Sequence, residues 1–312
     1  MKILITGAAG FIGSHLAEKL VSLGHTVTGI DCFTDYYPRK LKEDNLSSIA
    51  KNKNFTLIEE DLLKVPLEKT IKGTEIIFHQ SAQAGVRPSW GSNFDTYIQN
   101  NILATQKLLE ASKNFPIKKF IFASSSSVYG DSPSLPVKET DLTRPMSPYG
   151  VSKLAAENLC MLYNKNFKVP VISLRYFTVF GPRQRPDMAF NKFIKAILNG
   201  EEIPLFSDGS QTRDFTFVSD VVDVNIQAME SNVGGEIFNI AGGARISVKE
   251  TISKLEKLLD KKAKIKQLPV QKGDVKHTFA DIGKAKKLLG YKPKIKIDEG
   301  LKQEIDWLKD QL

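Results

Sequence analysis

Short, mostly apolar runs without a helical period recur along the first half of the chain. The first reads KILIT and the second TVTGID, and a glycine-containing or polar segment comes after each. Such runs are typical of strands buried on both faces of a parallel sheet. We predict strands at 2–6, 26–31, 55–62, 75–82, 118–126 and 170–177.

Amphipathic segments lie between these runs. FIGSHLAEKLVSLG comes after the first strand with apolar residues at helical spacing, and Gly24 is a suitable C-terminal stop. Longer helices are predicted at 94–112 and 149–166. Strands that alternate with helices predict an α/β fold of the Rossmann type, with a doubly wound parallel sheet.

The pattern changes after about residue 176. GPRQRPD is typical of a loop, and MAFNKFIKAILNG of a helix that ends at Gly200. A lysine-rich helix near 247–260 and another near 298–312 come next. We predict a first domain at 1–175, to which segments near 214–240 return, and a smaller α/β lobe at 176–312 that covers the ligand edge of the sheet.

Composition narrows the class of protein. No run of about 18 apolar residues predicts a membrane span. Only Cys32 and Cys160 are present among 312 residues, too few for a disulfide framework or a zinc site, which favours a reducing, cytoplasmic setting. The four histidines lack ligand spacing, so no metal is expected. The net charge of +9 comes from scattered lysines without a base-stacking module, so we expect a solvated surface and no nucleic acid.

A glycine-rich turn comes directly after the first strand. GAAGFIG places Gly7, Gly10 and Gly13 at the spacing of a dinucleotide-binding turn, with Phe11 and Ile12 between the last two. The helix that begins there offers free N–H groups to phosphates. Asp31 ends the second strand, where a carboxylate accepts hydrogen bonds from a ribose 2′-hydroxyl and repels a 2′-phosphate. The pattern predicts NAD, rather than NADP, as cofactor.

SPYGVSKLAAENL holds Tyr149 and Lys153 four residues apart, on one face of the helix that Pro148 begins. The ordinary pKa of a tyrosine is about 10, so it is a poor base unless a nearby cation stabilises the phenolate. Lys153 could supply that charge. By itself the pair is weak, because Tyr and Lys four residues apart are common by chance.

These motifs together resemble the extended short-chain dehydrogenase/reductases, a family of NAD-dependent nucleotide-sugar epimerases and dehydratases. GAAGFIGSH, SSSSVYG, YGVSK, RYFTVFGPRQRPD and QTRDFTFVSD match in the expected order and span most of the chain. Within the family the resemblance is strongest to the UDP-glucuronate 4-epimerases, through AQAGVRPSWG and YFTVFGPRQRPDMAF. It implies a UDP-sugar substrate, a homodimer formed through 94–112 and 149–166, an NAD-binding domain at 1–175 and a substrate-binding lobe at 176–312.

The resemblance also implies roles for individual residues. Tyr149 would be the acid/base and Lys153 its charge partner, and Ser125 would be either a hydroxyl shuttle or a hydrogen-bond partner of the sugar oxygen. Tyr149 and Lys153 are also implied at the cofactor, where Lys153 could bind the nicotinamide ribose. The further residues implied at the cofactor are Asp61, Leu62, Ser81, Ala82, Gln83, Asn101 and Tyr176.

The residues before Val-Tyr-Gly bear on the reaction. Related dehydratases carry Asp-Glu there and related decarboxylases a Glu, whereas this chain has Ser126 and Ser127. Acid/base chemistry at C5 or C6 of the sugar thus lacks its usual agent at this position. Neutral hydroxyls can instead hold a substrate carboxylate. We expect Ser125, Ser126, Ser127 and Thr178 to form such a clamp, with Arg185 near the same end. Thr178 itself occupies a place where epimerases of neutral hexoses usually have Asn.

The function expected is 4-epimerisation of UDP-glucuronate to UDP-galacturonate. A UDP-glucose 4-epimerase, a UDP-glucuronate decarboxylase and a non-catalytic NAD-binding regulator stay open as alternatives.

The UDP group needs cations or N–H donors. The resemblance implies Arg213 at the diphosphate and Asp274 at the uridine ribose, with Arg87 as a weaker contact near the sugar. Arg185 could serve either the diphosphate or the carboxylate. The family often has an Arg three residues before Asp274, where this chain has Gln271.

Overall fold

The computed structural model describes residues 1–269 and 273–311, in which strands and helices alternate along the first half of the chain. The strands are β1 (Lys2–Thr6), β2 (Thr26–Asp31), β3 (Phe55–Glu59), β4 (Ile76–His79), β5 (Lys119–Ser125), β6 (Val171–Tyr176), β7 (Thr178–Phe180), β8 (Glu202–Phe206), β9 (Thr212–Phe217), β10 (Glu236–Ile240), β11 (Arg245–Ser247) and β12 (Lys264–Leu268). The α-helices are α1 (Phe11–Ser22), α2 (Arg39–Leu46), α3 (Leu67–Ile71), α4 (Phe94–Tyr97), α5 (Ala104–Ser112), α6 (Pro148–Phe167), α7 (Ala189–Asn199), α8 (Val218–Glu230), α9 (Val248–Leu259), α10 (Gly283–Leu289) and α11 (Ile297–Lys309).

Seven parallel strands form the main sheet in the order β10-β6-β5-β4-β1-β2-β3. The order runs outward in both directions from the β1–β4 pair, so the crevice for a ligand lies at the carboxyl ends of these strands. The α/β fold of Rossmann type is confirmed. Each of the six predicted strands is present, and β10 returns to the sheet beside β6 from within the predicted segment 214–240.

Side chains alternate between the two faces of the sheet, and each face has its own apolar core. On β1, Ile3 and Ile5 join the larger core with α1 and the later elements, whereas Leu4 joins the core against α3, α5 and α6. This alternation places helices on both faces, as a doubly wound sheet requires. Within the described part of the chain, no helix has the length and apolar character needed to cross a bilayer.

Several predicted strands are too long at their carboxyl ends. β3 ends at Glu59 and β4 at His79, because the residues after them leave the ladder and face a groove. The predicted strand 170–177 ends at Tyr176, and the next residues form β7 in a separate three-stranded sheet with β9 and β11.

The predicted helix 94–112 is interrupted. It consists of α4, a π-helical segment at Ile98–Leu103 and α5. A π-helical turn inside an α-helix frequently marks a functional site. Helix α6 begins at Pro148 as predicted, with the Ser147 hydroxyl accepting the Gly150 N–H at 3.1 Å.

Candidate functional site

Two grooves meet at the carboxyl edge of the main sheet. The first groove is lined by the glycine turn and by the loops after β2, β3 and β4. The second groove is lined by the serine turn after β5 and by loops that come later in the chain. Both are lined by Tyr149, Tyr176 and Arg185, so these side chains stand at the junction.

The first groove contains all but one of the residues predicted to bind the cofactor: Gly7, Gly10, Phe11, Ile12, Gly13, Asp31, Asp61, Leu62, Ser81, Ala82, Gln83, Tyr149, Lys153 and Tyr176.

The glycine turn fits a dinucleotide. Gly7 has φ +72°, and a Cβ there would lie 2.8 Å from the backbone of Ser81. A Cβ on Gly13 would lie 2.0 Å from the Gly7 carbonyl oxygen, so only glycine lets α1 pack against the turn. Gly10 precedes α1, and among the described residues no side chain caps the first turn. The free N–H groups of that turn therefore remain available to a pyrophosphate.

Asp31 lines the same groove beside the glycine turn. One carboxylate oxygen accepts the Ala9 N–H at 3.0 Å and the other accepts the Phe33 N–H at 2.9 Å, which fixes the side chain at the end of β2. Lys42 also lines the groove here, and its ammonium donates to the Thr34 carbonyl at 2.8 Å. Lys42 was missed by the sequence reasoning, because nothing in its local pattern distinguishes it from the neighbouring surface lysines.

The position of Asn101 corrects one prediction. Its side chain is buried in the π-helical segment, and it is not among the described residues that line the first groove. The carboxamide accepts the Gln83 N–H at 2.7 Å and donates to the Gln83 carbonyl at 3.0 Å and to the Ser152 hydroxyl at 2.9 Å. Asn101 thus holds the loop after β4 against α6 and acts behind the groove wall, because both faces of its amide are already occupied.

A buried histidine extends this network. The Thr105 hydroxyl donates to the Asn101 carbonyl at 2.6 Å, so it accepts from Nε2–H of His79 at 2.8 Å. Nδ1 of His79 then accepts from the Thr6 hydroxyl at 2.7 Å. Burial lowers the pKa of His79 to about 3, so the imidazole is neutral and joins the ends of β1 and β4 to the π-helical segment.

Tyr149 is surrounded by groups with opposing effects on its ionisation. Burial raises the pKa of Tyr149, whereas a hydrogen bond from Ser125 and the charge of Arg185 lower it. The predicted proximity of Ser125 and Tyr149 is therefore present in the structure. Lys153 was expected to supply the charge, but its ammonium lies over the Phe122 ring, 4.7 Å from the ring centre. In this structure the cation that acts on Tyr149 is Arg185.

The four serines after the β5 core have different surroundings. Ser124 donates to the buried carboxylate of Glu157 at 2.6 Å and is structural. The Ser125 hydroxyl accepts the Ser127 N–H at 3.2 Å, which fixes a 3-10 turn at Ser126–Val128. Ser125, Ser126 and Ser127 all line the second groove. No carboxylate stands within this turn, as the sequence shows.

The second groove encloses about 730 Å³, within the range of small-molecule sites. Thr178, Arg185, Arg87 and Asp274 line it with the serines. The groove residues that sequence reasoning missed include Tyr36, Asp187, Lys192 and Phe206.

The distant end of the second groove carries an ion pair. Nη2 of Arg87 donates to Asp274 at 2.7 Å, and the guanidinium stacks 4.1 Å from the centre of the Phe206 ring. Arg213 is not among the described residues that line this groove. Its Nη1 donates to the Thr212 carbonyl at 2.9 Å, so the side chain is turned along its own strand.

This position of Arg213 departs from the predicted direct contact with a diphosphate. Burial lowers the pKa of Arg213, and the charge of Asp274 opposes that effect. Gln271 lies outside the described residues.

Comparison with known proteins agrees with this geometry. The family described as NAD dependent epimerase/dehydratase matches residues 3–241. A UDP-glucuronic acid 4-epimerase from Bacillus cereus, in a crystal structure with UDP-glucuronic acid and NAD, is 46% identical and has a TM-score of 0.98 over 100% of both chains.

Two further relatives cover nearly the full chain. The UDP-glucuronate 4-epimerase of Thermodesulfobacterium geofontis is 41% identical over 99% of this chain and 96% of its own. A Bacillus subtilis protein named as an uncharacterized UDP-glucose epimerase is 46% identical over 99% of this chain and 98% of its own. The family resemblance found in the sequence is confirmed, and this chain belongs to the NAD dependent epimerase/dehydratase family.

Proposed function

We propose that this protein is an NAD-dependent 4-epimerase that converts UDP-glucuronate to UDP-galacturonate. One observation carries the proposal: the hydroxyls of Ser125–127 and Thr178 line the same groove as Arg185 and Tyr149. A set of neutral donors and one cation beside an acid/base suits a sugar that bears a carboxylate. The relatives named as UDP-glucuronate 4-epimerases support it.

In this proposal Tyr149 takes the proton from the sugar hydroxyl and later returns it. Burial raises the pKa of Tyr149 overall, and the hydrogen bond from Ser125 and the charge of Arg185 offset part of that rise in favour of the phenolate. Bound NAD supplies the reversible hydride acceptor. The glycine turn holds the diphosphate of the cofactor, and Asp31 holds its adenosine ribose. Lys153 joins the nicotinamide ribose from the next turn of α6.

In the same proposal the serine turn keeps the reaction at epimerisation. Oxidation at C4 of a uronate gives a β-keto acid, which loses CO₂ when the bond to the carboxylate aligns with the carbonyl π system. Hydrogen bonds from Ser126, Ser127 and Thr178, with Arg185, hold the carboxylate out of that alignment. This is catalysis by positioning, used here to suppress a side reaction.

Turnover of two substrates separates the proposed function from its alternatives. NAD-loaded protein is incubated with UDP-glucuronate and, separately, with UDP-glucose, and products are followed by proton NMR with CO₂ release. We expect UDP-galacturonate to form from UDP-glucuronate without CO₂. The Tyr149→Phe variant is the control and should lower the rate by about 10²-fold or more, because it lacks the acid/base.

Turnover confined to UDP-glucose would instead identify a neutral-sugar epimerase, the activity that the name of the Bacillus subtilis relative indicates. A pentose product with CO₂ would identify a decarboxylase. No turnover of either sugar would favour a non-catalytic NAD-binding protein.

Three broader properties belong to the same proposal. We propose that residues 1–175 with the returning strand β10 bind NAD, and that the rest of 176–312 binds the UDP-sugar. Arg87 and Asp274 would contact the uridine end, with Arg213 behind them.

A homodimer would form through the helices at 94–112 and 149–166. The reducing, cytoplasmic setting stays a prediction from the two cysteines.

A further inference from the structure

The Asp187 carboxylate binds one edge of the Arg185 guanidinium. Nε of Arg185 donates to Oδ1 at 2.9 Å and Nη2 donates to Oδ2 at 3.0 Å. Two parallel bonds of this kind fix the plane of a guanidinium as well as its position. The pair is only partly exposed, with 20% of the Arg185 side chain and 35% of the Asp187 side chain accessible. It is therefore less screened than a surface ion pair.

Asp187 is itself anchored from the opposite side of the grooves. The Tyr36 hydroxyl donates to Oδ2 of Asp187 at 3.1 Å. Tyr36 belongs to the loop between β2 and α2, which begins immediately after Asp31. The Arg185 guanidinium lies 5.7 Å from the centre of the Tyr36 ring. One carboxylate thus joins the loop after β2 to the loop that carries Arg185.

The remaining donors of Arg185 are those that a substrate needs. A guanidinium has five N–H groups, and Asp187 uses one on Nε and one on Nη2. The opposite edge, formed by Nη1 and Nη2, makes no hydrogen bond to the described residues. Two parallel N–H groups remain there, one on Nη1 and one on Nη2, and their spacing matches the two oxygens of a carboxylate. Asp187 therefore occupies the side of the guanidinium and leaves its end for a ligand.

Asp187 also affects the charge of this guanidinium. Burial acts to lower the pKa of Arg185, but the hydrogen bonds and the charge of Asp187 outweigh it, so the pKa is raised. The pKa of Asp187 is lowered in turn, because the bonds and charge of Arg185 exceed the opposing effect of burial. Both partners therefore stay ionised, and the guanidinium is held as a cation in the groove wall.

We propose that Asp187 is the positioning residue that makes Arg185 a selective receptor for the carboxylate of the substrate, with Tyr36 tying this pair to the cofactor-side loop. The inference rests on the proposed function, since it assigns the discrimination between a uronate and a neutral sugar to this pair. Asp187 acts only through Arg185. Its loss should weaken recognition of the carboxylate and leave recognition of the nucleotide as it was.

Binding to the NAD-loaded Tyr149→Phe protein tests this inference without turnover. Dissociation constants for UDP-glucuronate, UDP-glucose and UDP are measured by titration calorimetry, with and without Asp187→Asn. We expect Asp187→Asn to weaken UDP-glucuronate at least tenfold, with UDP-glucose and UDP changed less than twofold. Tyr36→Phe should weaken UDP-glucuronate in the same selective way by two- to fivefold. Asp298→Asn, which removes the exposed pair with Lys254, is the matched control and should change none of the three constants.

Three outcomes would contradict the inference. Unchanged or tighter binding of UDP-glucuronate to Asp187→Asn would show that Asp187 does not position the guanidinium, or that it competes with the substrate. Equal weakening of all three ligands would show a general structural role. Either result overturns the inference while the proposed function stands. If the protein with Asp187 intact binds UDP-glucuronate no more tightly than UDP-glucose, there is no recognition of the carboxylate for Asp187 to support, and the inference fails while turnover decides the proposed function.

Discussion

Lys153 shows how a functional side chain is held at the expense of stability. It is 3% exposed, and burial lowers its pKa to about 8 from an ordinary value of 10.5, although the nearby carboxylate of Glu157 acts to raise it. The folded chain thus binds this proton less tightly than the unfolded chain does. The charged amine weakens folding fully below pH 8, and the penalty fades as the pH rises toward 10.5.

Replacement of this lysine should therefore stabilise the ligand-free protein. Lys153→Met is expected to raise the free energy of unfolding by about 3 kcal/mol at pH 7 and by about half as much at pH 9.5. Urea unfolding at the two pH values measures this, and the exposed Lys302→Met is the control. A difference that does not change with pH, or a loss of stability at pH 7, would contradict the pKa. The same variant should lose turnover, because the proposed contact of Lys153 with the nicotinamide ribose is lost.

Residues whose role depends on a local sequence pattern could be identified from the sequence alone. The glycines and Asp31 are recognisable from a strand, a turn and a helix in succession, and Tyr149 and Lys153 from a spacing of four. Asp187 could not be found in this way. Its function depends on Tyr36, about 150 residues away, and only the fold brings the two loops together.

Helix α6 is fixed to the main sheet by one buried carboxylate. Glu157 accepts from Ser124 at 2.6 Å and from Ser173 at 3.2 Å, and it pairs with Arg175 at 2.6 Å. Ser124 lies on β5 and the other two partners lie on β6. These contacts therefore fix the position of α6, which carries Tyr149, relative to both strands.

Breaking this pair should be costly, because a buried charge is left without its partner. Glu157→Gln is expected to reduce the free energy of unfolding by about 3–5 kcal/mol, measured by denaturant unfolding at pH 7. Asp223→Asn breaks the exposed pair with Lys294 and should change it by less than about 1 kcal/mol. Combining Glu157→Gln with Arg175→Met should recover part of the loss. Equal effects of the buried and exposed changes would argue against the role of Glu157.

Predicted and observed elements differ most where side chains bind the backbone of another loop. The apolar pattern at 94–112 indicated one helix, and periodicity alone does not reveal the π-helical turn at Ile98–Leu103. Asn101 lies within that turn and bonds Gln83, a contact between residues of different elements. Strand centres were predictable because burial on both faces imposes an apolar run, whereas their ends depend on which residues face the grooves.

For the whole molecule, the outer face of α6 bears on the proposed dimer. Val151 is 45% exposed and Leu162 is 52% exposed, and the two are three helical turns apart on one side. Ile98, in the neighbouring π-helical segment, is 36% exposed. Aligned apolar side chains of this kind are suited to pack against a second copy of the same helices.

A charge on this face should separate the subunits. Leu162→Glu is expected to convert a dimer of about 70 kDa to a monomer in light scattering coupled to gel filtration, because a carboxylate would be buried without a partner. Leu258→Glu, on the 38% exposed position of α9, is the control and should not change the mass. A monomer before substitution, or a dimer that survives Leu162→Glu, would rule out this interface.

The pairing of β10 with β6 has a consequence for synthesis on the ribosome. Strand β6 is complete at Tyr176, but its neighbour β10 ends only at Ile240, about 60 residues later. At a synthesis rate of about 5–20 residues per second, the nascent chain carries an unpaired, apolar sheet edge for roughly 3–12 seconds. During that interval β6 is open to strands of neighbouring nascent chains, and a slower ribosome over 177–240 would lengthen its exposure. Because of this strand order, we expect the rate of translation to affect how efficiently this protein folds.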